Sequence, residues 1–208
     1  MEVLLRAAQT VRSAPARRDM TAAVRDRQDP VVILEGWAHR SCLLADGRRQ
    51  ITGLLLPGDV LESSSMAGGL DAIVTAITPV AYCALPASSI AARAGLTHAL
   101  RASRAHEDRL LRRQVVRLGR FDALERITDW MLEIYERLEA TGSCSGETMA
   151  LPLTQETMAD ALGLTSVHIN RMLGVLRRDN LLNVHFGRAV FLDRSRCRSL
   201  VGLSLIHI

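Results

Sequence analysis

Thr154-Gln-Glu-Thr-Met-Ala-Asp-Ala-Leu-Gly-Leu-Thr-Ser-Val-His-Ile-Asn-Arg-Met-Leu173 reads as two short helices joined by a tight turn. Ala159 is small where two helices must approach closely. Gly163, four residues on, supplies the turn, because glycine tolerates a positive φ. Met158, Leu162, Leu164, Ile169 and Met172 are spaced to share one apolar core, and Thr165 is placed to cap the second helix. Ser166, Val167, Asn170 and Arg171 are then left for that helix's outer face. This is the pattern of a helix-turn-helix whose second helix lies in the major groove of DNA, so it predicts both a ligand and the face that reads it.

The rest of the chain is consistent with a nucleic-acid partner. It has 208 residues, enough for one large or two modest domains, and a net charge of +4. All 26 basic residues are arginine. Residues 93–120 hold eight arginines against Glu107 and Asp108, a net of +6, and residues 151–208 hold seven against four acids, a net of +3. Aromatic residues are scarce, so the core must be aliphatic. Cys42, Cys83, Cys144 and Cys197 are far apart, with no metal-ligand spacing, which fits a reduced, cytoplasmic protein. Glu2 and Arg6 flank a very short apolar run that is not a signal peptide, and no stretch approaches the ~18 apolar residues of a membrane span.

Working outward, residues 1–30 are mixed and charged, broken by Pro15 and Pro30. Val31 to Leu34, Trp37 to Leu44, Gln50 to Leu56, Ala72 to Thr78 and Val80 to Leu85 then read as strands. Asp46-Gly47 is a two-residue hairpin signal, and Pro57-Gly58-Asp59 is a turn. Short strands at this spacing predict an antiparallel roll or barrel. From about Ser88 to Ala140 the pattern is helical, with Leu96, Leu100, Leu110, Leu111, Val115 and Leu118 as a broken apolar stripe. Asp122-Ala-Leu-Glu125 is a capping box, so one helix ends near Gly119 and a second follows, carrying Leu124, Ile127, Met131, Ile134 and Leu138. Gly142 to Gly146 reads as a flexible loop. After the helix-turn-helix, Leu181–Val184 and Ala189–Leu192 form a small hairpin, a wing, turning at Phe186-Gly187-Arg188.

Three motifs, Leu153 to Arg171, Leu54-Leu-Leu-Pro-Gly-Asp59, and Leu34-Glu-Gly-Trp37 with Asp46-Gly-Arg-Arg-Gln-Ile51, together resemble the Crp/Fnr superfamily of bacterial transcription regulators over roughly residues 15–195. The resemblance implies an α+β fold. Residues 1–120 would be an N-terminal antiparallel β-roll, cupin-like and cyclic-nucleotide-binding-like, with a dimerisation helix over about 93–120. Residues 121–208 would be a winged helix-turn-helix. It also implies a homodimer on palindromic promoter DNA, a sensing role for the roll, and RNA polymerase as a further partner. Two-fold symmetry would set the recognition helices about 34–36 Å apart.

Arg171 matches the family's base-reading arginine, whose fork can contact guanine O6 and N7 for about 1–3 kcal/mol of discrimination. Otherwise it touches phosphate or solvent. Ser166 and Val167 stand at the other base-reading positions and depart from the charged pair of the best-known member. Val167 could pack on a thymine methyl or belong to the core. Asn170 could read adenine or hold phosphate, and His168 meets phosphate or solvent. Thr154 and Gln155 open the first helix, where amide N–H groups attract a phosphate, although Thr154 also suits plain capping. Arg188 at the wing tip is a phosphate contact, while Arg177 and Arg178 read as a solvated helix end.

The sensor departs from its cyclic-nucleotide-binding relatives. Alignment puts Ser63 at their glutamate and Leu70-Asp71 at their arginine–serine pair. A carboxylate at ~4 Å repels a phosphate by several kcal/mol at an effective dielectric of about 20, so tight cyclic-AMP binding is not expected. No cysteine precedes Cys42, so an N-terminal iron–sulfur cluster is not expected either. His39, Cys42 and Cys83 read as isolated residues rather than a metal site. No cofactor is predicted, and the effector stays unknown. Leu96, Leu100, Ser103, Leu110, Gln114 and Leu118 form an imperfect dimer seam, the alternative being a helix packed only on its own roll.

The leading function is therefore a homodimeric, sequence-specific DNA-binding regulator of transcription. The alternative is a small-molecule sensor whose helix-turn-helix makes protein contacts. An enzyme is not expected. No phosphate-cradling Gly-x-x-x-x-Gly-Lys or Gly-x-Ser-x-Gly occurs, and without lysine there is no Schiff-base chemistry. The apolar tail from Ser199 resembles nothing in the family.

Overall fold

In the computed structural model, which describes residues 10–25, 29–62, 72–85 and 94–202, seven strands precede the long helix. They are β1 (Val11–Ala14), β2 (Val31–Glu35), β3 (Ala38–Leu43), β4 (Arg49–Leu55), β5 (Val60–Leu61), β6 (Ala72–Ala76) and β7 (Val80–Ala84), with a short helix α1 (Thr21–Arg25) after β1. They form two antiparallel sheets, ordered β1-β7-β2-β5 and β4-β3-β6. Val31 and Ile33 of β2 pack in the roll core with Ala38, Leu55, Leu61 and Val74, whereas Val32 joins Cys83 and Leu85 in a second cluster. A strand covered on both faces reads as a continuous apolar run, which is why Val31 to Leu34 shows no alternation.

Two turns differ from the sequence reading or explain it. The β3–β4 loop has three residues rather than two. Leu44 and Arg48 close it through the Leu44 N–H to Arg48 carbonyl bond of 2.8 Å, with Gly47 at φ 86°. That is a turn followed by a left-handed glycine bulge, the other common use of Asp-Gly. At Gly36 (φ 83°) a Cβ would lie 2.0 Å from the Pro79 carbonyl oxygen, so only glycine lets the chain pass there. Strand β1 lies in the charged stretch that reads as irregular, held by its pairing to β7 from Val11–Cys83 to Ala14–Val80.

Helix α2 (Ala94–Arg120) follows. Leu96 and Leu100 lie buried in the cluster around Val32, so the roll covers these two proposed seam positions. The helix leaves Leu111, Val115 and Val116 uncovered instead. The chain divides into two compact units, Met1–Arg112 and Arg113–Ile208. The division falls inside α2 because Arg113, Gln114 and Arg117 all bond to side chains or carbonyls of the second unit.

In that unit, α3 (Ala123–Ala140) starts at the expected capping box. The Asp122 carboxylate accepts from the Leu124 and Glu125 N–H groups, and Glu125 returns a bond to the Asp122 N–H at 2.8 Å. The segment Gly142 to Gly146, which reads as a flexible loop, contains a two-residue strand, β8 (Cys144–Ser145), and a second short strand, β9 (Thr148–Ala150), follows it. β9 extends the wing hairpin, β10 (Leu182–His185) and β11 (Arg188–Phe191), into a sheet ordered β10-β11-β9-β8. Between them lie α4 (Gln155–Leu162) and α5 (Ser166–Arg178). The last described helix, α6 (Arg194–Val201), buries Cys197 and Val201 and packs on α3. The tail from Ser199 therefore begins inside a helix that belongs to the unit. The architecture is α+β. Ser63, Leu70, Asp71, the helix start near Ser88 and the tail from Leu203 lie outside the described residues.

Candidate nucleic-acid interface

α4 and α5 are set by their ends. Thr154 caps α4 by accepting from the Thr157 N–H at 3.0 Å, and Thr165 caps α5 by accepting from the His168 N–H at 3.2 Å. Gly163 closes α4 in the left-handed region (φ 63°, ψ 39°) with its N–H on the Ala159 carbonyl. A Cβ there would meet only ordinary contacts, Leu118 at 3.7 Å and Arg126 at 3.8 Å, so the backbone angle rather than space demands glycine.

Two carbonyls at the end of α4 are satisfied from other helices. The Gln114 amide donates to the Ala161 carbonyl at 2.7 Å, and Arg126 donates to the Leu162 carbonyl at 3.2 Å. Gln114 thus serves the helix-turn-helix from α2. Sequence periodicity places it in a dimer seam, because an amide on an apolar stripe gives no hint of its partner. Met158, Ala159, Leu162 and Ile169 are buried as expected; Leu164 and Met172 are half-buried, and Leu176 completes the core.

This packing turns one face of α5 outward. Val167, Asn170 and Arg171 are exposed, with Ser166 and His168 half-buried at its edge. Val167 is 80% exposed, which rules out a core role and leaves a methyl-sized apolar contact on an outer face. Arg171 Nη2 lies 2.9 Å from His168 Nε2. An arginine can only donate, so the imidazole nitrogen is the acceptor of this contact. Thr154 and Gln155 are exposed at the start of α4, where the helix N-terminus favours an anion. Arg177 and Arg178 are exposed at the end of α5.

The wing turn runs His185-Phe186-Gly187-Arg188, with His185 paired to Arg188. Both central residues have positive φ, 47° at Phe186 and 72° at Gly187, as a two-residue type I′ hairpin requires. That backbone costs a non-glycine residue about 1–2 kcal/mol. Phe186 is also 93% exposed and meets the His185 ring edge-on, at 3.8 Å between centroids. The turn is pinned by the Leu151 N–H, which donates to the Gly187 carbonyl at 2.7 Å. Arg188 is exposed beside it, as the sequence predicts for a wing tip. Phe186 carried no role in the sequence reading; the signal was a phenylalanine in the turn position where asparagine is usual.

Among the described residues no group of three or more His, Cys, Asp or Glu could hold a metal ion. No described helix is long and apolar enough to cross a membrane.

Residues 125–200 match the family model described as a Crp-like helix-turn-helix domain. The chain is 33% identical over 174 residues to the nitrogen fixation regulation protein FixK of Bradyrhizobium diazoefficiens, covering 82% of this chain and 73% of that protein. It is 32% identical over 174 residues to the transcriptional activator protein FnrL of Cereibacter sphaeroides, covering 79% and 69%. Among solved structures it is similar to FixK2 from Bradyrhizobium japonicum, with a TM-score of 0.77 and 28% identity over 92% of this chain and 96% of that one.

Proposed function

The chain belongs to the Crp/Fnr superfamily of transcription regulators, and from that premise we propose how this DNA-binding regulator is organised and which residues read its operator. It acts as a homodimer in the cytoplasm. Residues 1–120 form the sensor roll with the dimerisation helix, and residues 121–208 bind DNA. The partner subunit covers Leu111, Val115 and Val116 of α2. Each subunit lays α5 in a major groove of a palindromic promoter site. Arg171 reads guanine, Val167 packs on a thymine methyl, and Asn170 and Ser166 contact neighbouring base edges or phosphates. Thr154, Gln155, Thr165, His168 and Arg188 fix the register on the phosphates. A signal received by the roll sets DNA affinity, and RNA polymerase is the partner on the promoter.

The observation that carries this reading is the outward face of α5. Val167, Asn170 and Arg171 project from a helix whose other side buries Ile169 and Leu176. Selection of bound duplexes from a random pool, followed by sequencing, tests it. A palindrome with half-sites about one helical turn apart is expected. No enrichment, or a single half-site without symmetry, overturns the operator and the dimer respectively.

A further inference from the structure

We propose that Phe186 is a minor-groove contact, an aromatic wedge that the wing presents to the sugar walls and base edges of the operator. The proposal rests on the DNA-binding reading above and adds a residue and a groove to it. Three observations converge on this side chain. Phe186 occupies a left-handed backbone position that disfavours a bulky side chain, in a turn for which Asn-Gly is the ordinary choice. It is almost wholly exposed, so its ring contributes nothing to the core. The turn that carries it is tied to β9 through the Arg188–Ala150 pair and to the chain after β9 by the Leu151 N–H to Gly187 carbonyl bond. A strained, exposed aromatic residue on a braced support has no folding role, and such outliers mark functional positions.

The choice of occupant follows from charge and continuity. Residues 182–191 contain no carboxylate, and Arg188 and His185 flank the ring. β10 packs on α5, so the wing is joined directly to the helix that carries the base-reading face. Arg188 suits a phosphate, but a phenyl ring does not. What a duplex offers an apolar side chain beside its phosphates is the minor groove, where inserted apolar residues loosen base steps and bend the helix. The wedge therefore acts through local deformability, favouring a flexible step such as TA or CA under the wing.

Phe186→Asn tests this without threatening the fold, since Asn-Gly is the preferred pair for this turn. Binding is measured on the duplex enriched from the random pool, with and without a minor-groove ligand of the netropsin class. The variant is expected to melt no lower than the parent chain and to bind about tenfold more weakly, within the range of one lost aromatic–base contact. The groove ligand should weaken the parent chain more than the variant. Binding within twofold of the parent overturns the wedge while leaving the DNA-binding reading intact. Normal DNA binding with lost promoter activity also overturns it and assigns the ring to a protein partner. If the parent chain shows no salt-sensitive duplex binding, both readings fall.

Discussion

Arg117 and Asp129 form a buried ion pair that binds the end of α2 to α3. Arg117 Nε donates to Asp129 Oδ2 at 2.7 Å, and its Nη2 lies 2.5 Å from the same oxygen and 2.6 Å from Glu133 Oε2. Arg117 is 1% exposed and Asp129 fully buried. Arg113 joins from one turn earlier, with Nη2 2.6 Å from Asp129 Oδ1. Burial pulls the Arg113 pKa down, but the Asp129, Glu133 and Glu136 carboxylates outweigh it and hold the group above its ordinary value. The same Arg117 guanidinium bonds Gln114, which caps α4 through Ala161. One network therefore runs from α3 through α2 to the first helix of the DNA-binding pair.

Removing Arg117 leaves Asp129 and Glu133 buried without their main counter-charge. Arg117→Ala is expected to destabilise the second unit by about 3–5 kcal/mol. Replacing both members, as Arg117→Met with Asp129→Leu, should cost less, because Asp129 is no longer stranded and Glu133 keeps Arg137 at 3.7 Å. Urea denaturation followed through buried Trp130 reports the unit directly. A loss under 1 kcal/mol for the single variant would contradict the network.

The proposed dimer interface is the uncovered face of α2. Val115 is 72% exposed, with Leu111 one turn before it and Val116 beside it. Val115→Glu should leave a monomer at micromolar concentration in sedimentation experiments and lower affinity for a palindrome far more than for a single half-site. An unchanged sedimenting mass rules out this face.

Cys197 gives a pH signature. It is fully buried with its thiol near the Leu181 carbonyl, and burial pushes its pKa up from 9.0 to about 11. In the unfolded chain the thiol ionises near 9.0 while the folded form keeps its proton, so the folded state binds more protons between those values. The stability it contributes is present below pH 9 and is lost as pH rises towards 11. Thermal melts should fall over that window, and Cys197→Ala should flatten the fall. An equally steep fall in the variant would remove Cys197 as a cause.

What could be read from the sequence was what is local. Ala159, Gly163 and the two threonine caps specify the helix-turn-helix within twenty residues, and Asp122 with Glu125 marks a helix start within four. Strand β1 was not legible, because its pairing partner β7 lies nearly seventy residues away and only Ala14 of its four residues is buried. β9 was not legible for the same reason, being held by β11 from nearly forty residues away. Leu96 and Leu100 show the limit of periodicity: the stripe is real, but spacing does not say whether the roll or a partner subunit covers it. Arg117 shows another, since nothing in a run of eight arginines singles out the one that is buried.

The central claim is that Arg171 reads a base. Affinities of the parent chain and Arg171→Ala are compared on the selected operator, on the operator with one conserved G·C pair replaced in each half-site, and on a random duplex. The parent chain should lose about 1–3 kcal/mol for each replaced pair, whereas the variant should bind operator and substituted operator alike and lose little on random DNA. Equal loss by Arg171→Ala on operator and random duplex would contradict base reading and reduce the residue to a phosphate contact.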